Sequence, residues 1–216
     1  MNKKNLILGT AGLTTILLVL SVGIGDSSVS TQEFVLTDPQ IPEPTKVTLS
    51  PTPMLPPPTP IMKFISHPVD NIGMADSMME FDVKQPLVPT GFNVKAISSN
   101  PESGTVKMLL SDKIITPDTT RSEFFADQGI FIFIEDQSEG NVDRAKWVKG
   151  WLEQNDGEKI TVNGKPGVMH DIVSQSFEDG SILTNPARVI FWENDVIYEV
   201  KGIVDTKDLI KIAESL

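Results

Sequence analysis

Residues 188–200 read Arg-Val-Ile-Phe-Trp-Glu-Asn-Asp-Val-Ile-Tyr-Glu-Val, and this stretch decides the fold. Two runs of β-branched and aromatic residues flank Asn194-Asp195, a dipeptide of the kind that favours a two-residue hairpin turn. Such a turn places Phe191 opposite Tyr198 on one face of the hairpin. We therefore expect two antiparallel strands whose apolar face belongs to the hydrophobic core.

Other segments of the chain also have strand character. Residues 130–134, Ile-Phe-Ile-Phe-Ile, form an unbroken apolar run, which predicts a central strand covered on both faces. Asn163-Gly164 lies before a second apolar segment at residues 168–173, and this dipeptide is the strongest short hairpin signal. Residues 92–97 and 105–110 have strand composition as well. These segments together predict an antiparallel sheet.

Two segments show helical periodicity. Residues 142–154 carry one apolar stripe that includes Trp151, and residues 206–216 carry another. Asp205 is a good N-cap for the second helix, and Asp208 in its first turn is favoured by the helix dipole. Strands followed by a helix, more strands and a final helix predict an α+β fold, an antiparallel sheet with helices packed on one face.

The N-terminal residues predict export. Residues 6–25 carry no charge, Lys3 and Lys4 precede them and Asp26 follows, so we expect the N-terminus inside the cell and the rest outside. Twenty helical residues span about 30 Å, enough for a bilayer core, although the diluting glycines and threonines also suit a cleaved signal peptide. We assign residues 1–25 to a signal anchor, a transmembrane helix at the cell membrane, with secretion after cleavage as the alternative.

Residues 26–61 are predicted to form a disordered, proline-rich stalk. Nine prolines fall between Pro39 and Pro60, a density that favours extended polyproline II over helix or sheet. We expect this segment to be a spacer and residues 62–216 to be one extracytoplasmic domain.

Charge and cysteine content exclude several classes of function. The chain carries 29 acidic against 18 basic side chains, a net charge of −11, and such a surface repels phosphate backbones, so nucleic acid is not an expected partner. The sequence has no cysteine, which excludes disulfides, thiolate metal sites, a cysteine nucleophile and the acylated cysteine of lipoproteins. The expected contact with the membrane is therefore through the N-terminal segment alone.

Metal sites find little support in the sequence. His67 and His170 are the two histidines, and His170 beside Asp171 is the more plausible ligand pair, but neighbouring strand residues point to opposite faces. The acidic loop at residues 135–143 contains carboxylates suited to calcium, yet it fails the EF-hand template, because Trp147 falls where that template needs a glutamate. Whether this loop binds calcium stays open, and we predict no metal or cofactor.

Motifs of enzymes are also missing from the sequence. There is no nucleophile elbow, P-loop, dinucleotide fingerprint or zinc-protease motif, so we expect a protein that is not an enzyme.

Trp147 and Trp192 are the candidates for a ligand or partner surface. Trp151 lies in the helical stripe and is expected in the core, whereas Trp147 lies at the edge of that stripe and Trp192 points away from Phe191. An exposed aromatic pair suits a lipid, a glycan or a protein partner. A second sheet face covered by a helix accounts for the same residues equally well.

Several segments resemble a known family. They are PLVPTGFNV at residues 86–94, ITVNGKPG at residues 160–167, IFWE at residues 190–193 and the closing IAESL at residues 212–216. In this order they are similar to an uncharacterised extracytoplasmic domain of anti-sigma-like and lipoprotein-carrier-like envelope proteins, over residues 81–216. The resemblance implies a curved antiparallel sheet and brings no catalytic residues. Five residues before the apolar segment leave no room for a cytoplasmic domain, so transmembrane signalling by this chain alone is not expected.

Two functional hypotheses follow. The first is a membrane-tethered binding or interaction module that recognises an envelope protein or component. The second is a carrier or chaperone for an apolar ligand or lipid with a half-open barrel, a hypothesis motivated by the carrier-like resemblance and by Phe131, Phe133 and Trp192. An envelope hydrolase is the third and less favoured option.

Overall fold

The computed structural model describes residues 34–46, 58–138, 140 and 143–216. The strands are β1 (Thr45–Lys46), β2 (Pro68–Val69), β3 (Asn93–Asn100), β4 (Thr105–Ser111), β5 (Ile130–Asp136), β6 (Glu158–Val162), β7 (Lys165–His170), β8 (Val173–Ser176), β9 (Ile182–Asn185), β10 (Ala187–Glu193) and β11 (Val196–Gly202). The α-helices are α1 (Ile72–Met78), α2 (Arg121–Ala126), α3 (Arg144–Asn155) and α4 (Thr206–Glu214), with short 3-10 helices at Ile61–Phe64 and Pro101–Ser103.

Most strands belong to one antiparallel sheet of eight strands, in the order β2-β3-β4-β5-β11-β10-β7-β6. A second sheet has the order β1-β8-β9, in which β1 is parallel to β8 and β9 is antiparallel to it. The predicted α+β fold with an antiparallel sheet is confirmed.

Both predicted hairpins are present with the predicted turns. β10 and β11 pair through Phe191 and Tyr198, whose rings stack with centroids 4.7 Å apart. β6 and β7 are joined by Asn163-Gly164, and both residues have positive φ, as a two-residue turn matching the strand twist requires. Local turn chemistry therefore sets the register of half of the main sheet.

β5 lies near the middle of the main sheet, between β4 and β11. Ile130, Ile132 and Ile134 are fully buried on one face, and Phe131 is 5% exposed on the other. The prediction of a central strand covered on both faces is confirmed.

The two longer helices are divided between the faces of the sheet. α4 packs Leu209 and Ile212 into the same hydrophobic cluster as Phe191 and Tyr198. α3 packs Trp151 into the separate cluster that holds the oppositely directed residues of β10 and β11, namely Ile190, Trp192 and Ile197. This placement differs from the expectation of helices on one face, because an apolar stripe shows that a helix is buried but not on which side of a sheet.

Residues 34–46, which we call the strap, lie against the domain. Phe34 is 9% exposed and belongs to the main core, and its carbonyl accepts a hydrogen bond from the Thr90 amide. The Thr37 amide donates to Oδ2 of Asp208 at 2.6 Å. The predicted stalk of residues 26–61 is corrected here, because this part of it is docked, and Ile61 is buried in the core as well.

The predicted transmembrane helix requires a correction. Residues 6–25, to which it was assigned, lie outside the described residues, and so do Lys3, Lys4 and Asp26, the charges on which the predicted orientation rests. No helix in the part of the chain that the structure describes is long and apolar enough to cross a membrane. The longest of the α-helices given above, α3, has 12 residues, whereas a span needs about 20.

Candidate functional site

A cavity of about 600 Å³ lies between α2 and β9. Ligand pockets commonly fall between roughly 300 and 1,000 Å³, so this cavity has the size of a binding site for a small molecule or a short peptide. We call it the α2–β9 groove. Its described lining residues are Ile41, Pro58, Thr59, Phe64, Arg121, Ser122, Phe125, Ala126, Ile182, Leu183, Thr184, Asn185, Pro186 and Ile203.

One wall of the groove begins at the N-terminus of α2. Thr120 caps this helix by accepting the Glu123 amide, and the Glu123 carboxylate accepts the Thr120 amide in return, which forms a capping box. The hydrogen bonds from Thr120 hold the pKa of the Glu123 carboxyl below its usual range. Phe125 is 3% exposed, and Arg121, one turn earlier on the same face of the helix, is exposed.

Arg121 is the single cation among the described lining residues. Its guanidinium carbon lies 6.0 Å from the ring centroid of Phe64 and 5.7 Å from that of Phe125, within the range of cation–π contacts. No Asp or Glu among the described residues forms an ion pair with it. The planar fork of an arginine suits a carboxylate or phosphate, and here that fork is positioned by aromatic rings and left without an acidic partner.

The opposite wall is β9 and the residue after it. Leu183 is half-buried, whereas Ile182 is 59% exposed at the rim. Ile41 of the strap, 54% exposed, also lines the groove, and Ile203 closes its base from the core. The groove therefore combines apolar walls with one positively charged group.

The chemistry of the groove suits binding rather than proton transfer. None of its described lining residues is an Asp, Glu, His, Lys, Tyr or Cys, the groups that act as general acids, bases or nucleophiles at neutral pH. Hydroxyl groups of Ser122 and Thr184 are present, and the described lining residues include no Asp, Glu or His that could act on them as a base.

A second group of charges lies on the sheet face opposite α4. Glu199 Oε1 lies 2.8 Å from Nε of Arg188 and 3.2 Å from Nζ of Lys201. Lys201 also lies 4.6 Å above the ring of Phe131. Burial lowers the pKa of Lys201, although the nearby Glu199 carboxylate opposes this shift. Glu199 forms an ion pair with each of these two bases, so we do not assign the cluster a ligand.

His170 is part of the α3 interface. Its ring stacks on Trp151 with centroids 5.5 Å apart, and Nδ1 lies 2.8 Å from the Asp171 carbonyl oxygen. Burial, with a further contribution from Arg188, lowers the pKa of His170. Among the described residues, no three His, Asp or Glu side chains converge as metal ligands require.

Trp147 and Trp192 do not form the exposed surface that the sequence suggested. Their rings meet edge to face with centroids 5.2 Å apart, Trp147 is half-buried, and Trp192 is 4% exposed beneath α3. The second interpretation of these residues, a sheet face covered by a helix, describes what the structure contains.

The acidic loop at residues 135–143 is described in part. Asp136 accepts hydrogen bonds from the amide and the hydroxyl of Ser138, and Asp143 caps α3 by accepting the Lys146 amide. Glu139, Asn141 and Val142 lie outside the described residues. The question of calcium at this loop therefore stays open.

Sequence reasoning missed Arg121 and β9. The pattern Thr120-x-x-Glu123 is a readable capping box and marks Arg121 as the first residue of a helix. Nothing in the sequence, however, brings residue 121 next to residues 182–186, because that contact depends on the packing of distant segments.

Comparisons with known proteins add little. No family model matches the chain, and no curated protein matches it. A crystal structure from Bacteroides thetaiotaomicron VPI-5482 is similar to 59% of this chain, at 14% identity and a TM-score of 0.36. The match spans 42% of that protein's length, and a likeness of this degree carries no argument. The resemblance to an extracytoplasmic envelope domain stays a prediction.

Proposed function

We propose that this domain is a non-catalytic binding module whose α2–β9 groove takes a ligand with an apolar body and one negatively charged group. The observation that carries this proposal is Arg121, a cation with no acidic partner among the described residues, set in apolar walls. The sequence suggested two hypotheses, a module that recognises an envelope component and a carrier of an apolar ligand. The proposal combines both in one site.

The apolar walls supply the first part of the argument. Phe64, Phe125, Leu183 and Ile203 present carbon surface to the cavity, and burial of apolar surface contributes roughly 25 cal/mol per Å² removed from water. The exposed side chains of Ile41 and Ile182 at the rim become partly buried when an apolar ligand enters. A purely polar ligand leaves these groups in water.

The charge of the ligand follows from Arg121 and from the rest of the chain. A carboxylate or similar anion forms charge-assisted hydrogen bonds with a guanidinium, each contributing about 1.5–3 kcal/mol. The net charge of −11, by contrast, repels a ligand that carries several negative charges. A ligand with one anionic group next to an apolar body pairs with Arg121 and meets little repulsion, whereas a nucleic acid carries many phosphates and is repelled by the net charge.

The absence of proton-transfer groups among the described lining residues supports binding without turnover. A serine or threonine hydroxyl needs a neighbouring base to act as a nucleophile, and the described lining provides none.

Decanoate, a straight-chain carboxylate, tests this proposal by isothermal titration calorimetry. We expect binding to the wild-type protein, and we expect Arg121→Met to weaken it about ten- to hundredfold, the equivalent of one charge-assisted hydrogen bond. Methionine keeps an apolar stem against Phe64 and Phe125, so the melting temperature should change little.

Arg144→Met is the matched control. Arg144 pairs with Asp195 on the surface at 2.5 Å and does not line the groove, so its loss should leave decanoate binding unchanged. If Arg121→Met and Arg144→Met weaken decanoate binding equally, the proposal is wrong. It is also wrong if neither the wild-type protein nor the variants bind decanoate.

A further inference from the structure

We infer that the ligand of the α2–β9 groove is the C-terminal segment of a peptide, which adds a strand to the edge of β9 that faces away from β8 and places its carboxylate on Arg121. This inference rests on the proposed function and specifies its ligand class. It draws on the backbone of β9, on the position of the cavity relative to that strand, and on the charge of Arg121.

β9 has a hydrogen-bonded neighbour on one side only within the described chain, namely β8. Next to the paired residues, the Phe177 amide donates to the Ser181 carbonyl at 2.9 Å. Bonding in an antiparallel pair alternates from residue to residue, so the backbone groups of Leu183 and Asn185 face β8. The backbone N–H and C=O groups of Ile182 and Thr184 face away from β8 and are positioned to form hydrogen bonds with an added strand.

The cavity lies along this edge. All four residues of β9 line the groove, as does Pro186. Successive side chains of a strand point to opposite faces, so a cavity that touches four consecutive residues runs beside the strand and not over one of its faces. The outward backbone groups of Ile182 and Thr184 are therefore beside the space that a ligand occupies.

The edge of β9 is four residues long and lacks two of the features that usually prevent strand addition. Its sequence is Ile-Leu-Thr-Asn, with no charge and no proline within the strand. β6, one of the two edge strands of the main sheet, begins instead with the exposed Glu158 and Lys159. Edge strands often carry such charges to prevent pairing, so charge protects β6 against an added strand and does not protect β9.

Arg121 is positioned to pair with the carboxylate at the C-terminus of the added strand. It lies in the same cavity as β9, on the α2 wall, and has no acidic partner among the described residues. A peptide C-terminus supplies both a backbone that pairs with an edge and a carboxylate that pairs with a guanidinium. The apolar surface of Phe125 and Leu183 suits a hydrophobic last side chain. An extended peptide ending in an apolar residue therefore uses every feature of the groove.

Three forms of one fluorescein-labelled hexapeptide, Ser-Thr-Val-Ser-Val-Leu, test the inference by fluorescence polarisation. The first has a free C-terminal carboxylate, the second a C-terminal amide, and the third a free carboxylate with alternate backbone nitrogens methylated. We expect the first to bind and to be displaced by decanoate. The amide and the methylated form should each bind at least about tenfold more weakly, because each lacks one kind of hydrogen bond.

Protein variants separate the two contacts. Arg121→Met should abolish the difference between the free acid and the amide, because the carboxylate then has no partner. Methylation should still weaken binding in that variant, because the edge of β9 is unchanged. Arg144→Met, outside the groove, should behave as the wild type.

The outcomes distinguish this inference from the proposed function. If decanoate binds through Arg121 and no peptide binds, or if methylation has no effect on peptide affinity, the inference is wrong and the proposed function stands. If neither decanoate nor peptide binds, both are wrong. A concentration-dependent dimer in sedimentation that the peptide does not dissociate would assign the edge to a second copy of the chain and overturn the inference.

Discussion

Replacing Asp208 by asparagine removes the charge that holds the strap on the domain. Asp208 is 1% exposed on α4, and its two oxygens accept bonds from the Thr37 amide at 2.6 Å and from Lys211 Nζ at 2.7 Å. Lys211 also lies 4.8 Å from the ring of Phe34, so one carboxylate organises the start of the strap. Asparagine keeps the shape of the side chain and loses the charge.

The size of the effect follows from these contacts. A hydrogen bond to a charged group contributes about 1.5–3 kcal/mol, and the asparagine oxygen retains one neutral bond to Thr37. Lys211 is half-exposed, so water screens its share of the interaction. We expect Asp208→Asn to lower the free energy of unfolding by about 2 kcal/mol, which lowers Tm by about 4–8 °C in a domain of this size.

The effect of pH has a definite sign. Burial alone raises the pKa of Asp208, but the hydrogen bonds from Lys211 and Thr37 outweigh it and leave the pKa below its usual range. A depressed folded-state pKa stabilises the protein above the unfolded-state pKa, about 3.9, and this stabilisation is lost as pH falls through the folded-state value. The difference between wild type and variant should therefore be constant near pH 7 and shrink below pH 4.

Urea unfolding at a series of pH values measures this difference, and limited proteolysis within residues 34–46 reports on the strap itself. Asp143→Asn is the matched control, because Asp143 is an exposed N-cap and asparagine caps a helix as well as aspartate does. The reasoning is refuted if Asp208→Asn destabilises no more than Asp143→Asn, or if its effect persists unchanged to pH 3.

Two further predictions concern the sheet. Burial, with the nearby Glu193 carboxylate, raises the pKa of Tyr198 to about 12, and because this is the single tyrosine of the chain, its absorbance should titrate near 12 in the folded protein and near 10 in urea. Stability should accordingly fall as pH rises above 10, and a folded-state midpoint at 10 would contradict this. Trp192→Ala should cost about 3–5 kcal/mol, measured by urea unfolding, because Trp192 is 4% exposed beneath α3; a loss below 1 kcal/mol would show that α3 packs loosely.

The parts of the fold that sequence predicted are those set by neighbouring residues. Asn163, Gly164 and Asn194 specify their hairpins through positive-φ backbone conformations that few other residues adopt. Asp205 marks the start of α4 by accepting the Lys207 amide. Such local preferences act over two or three residues, so a single sequence reveals them.

The parts that sequence did not predict depend on distant contacts. Phe34 lies within a segment whose composition suggests a spacer, yet one buried aromatic ring and the bond from Thr37 to Asp208 dock it. Tryptophan is a common residue at binding surfaces, but Trp192 is covered by α3, which precedes it by some forty positions. In both cases the partner lies far along the chain and no local pattern identifies it.

The position of the groove follows from how the sheet is covered. α4 closes one face of the sheet over β10 and β11, α3 closes the other, and Phe64 packs edge to face on Phe131 beside them. Phe131 and Trp192, two of the residues that motivated the carrier hypothesis, are buried by these contacts. The residues between β7 and β10 form β8 and β9 instead of joining the main sheet, and they bring an uncharged edge next to Arg121. Recognition is therefore expected where a small added sheet meets α2.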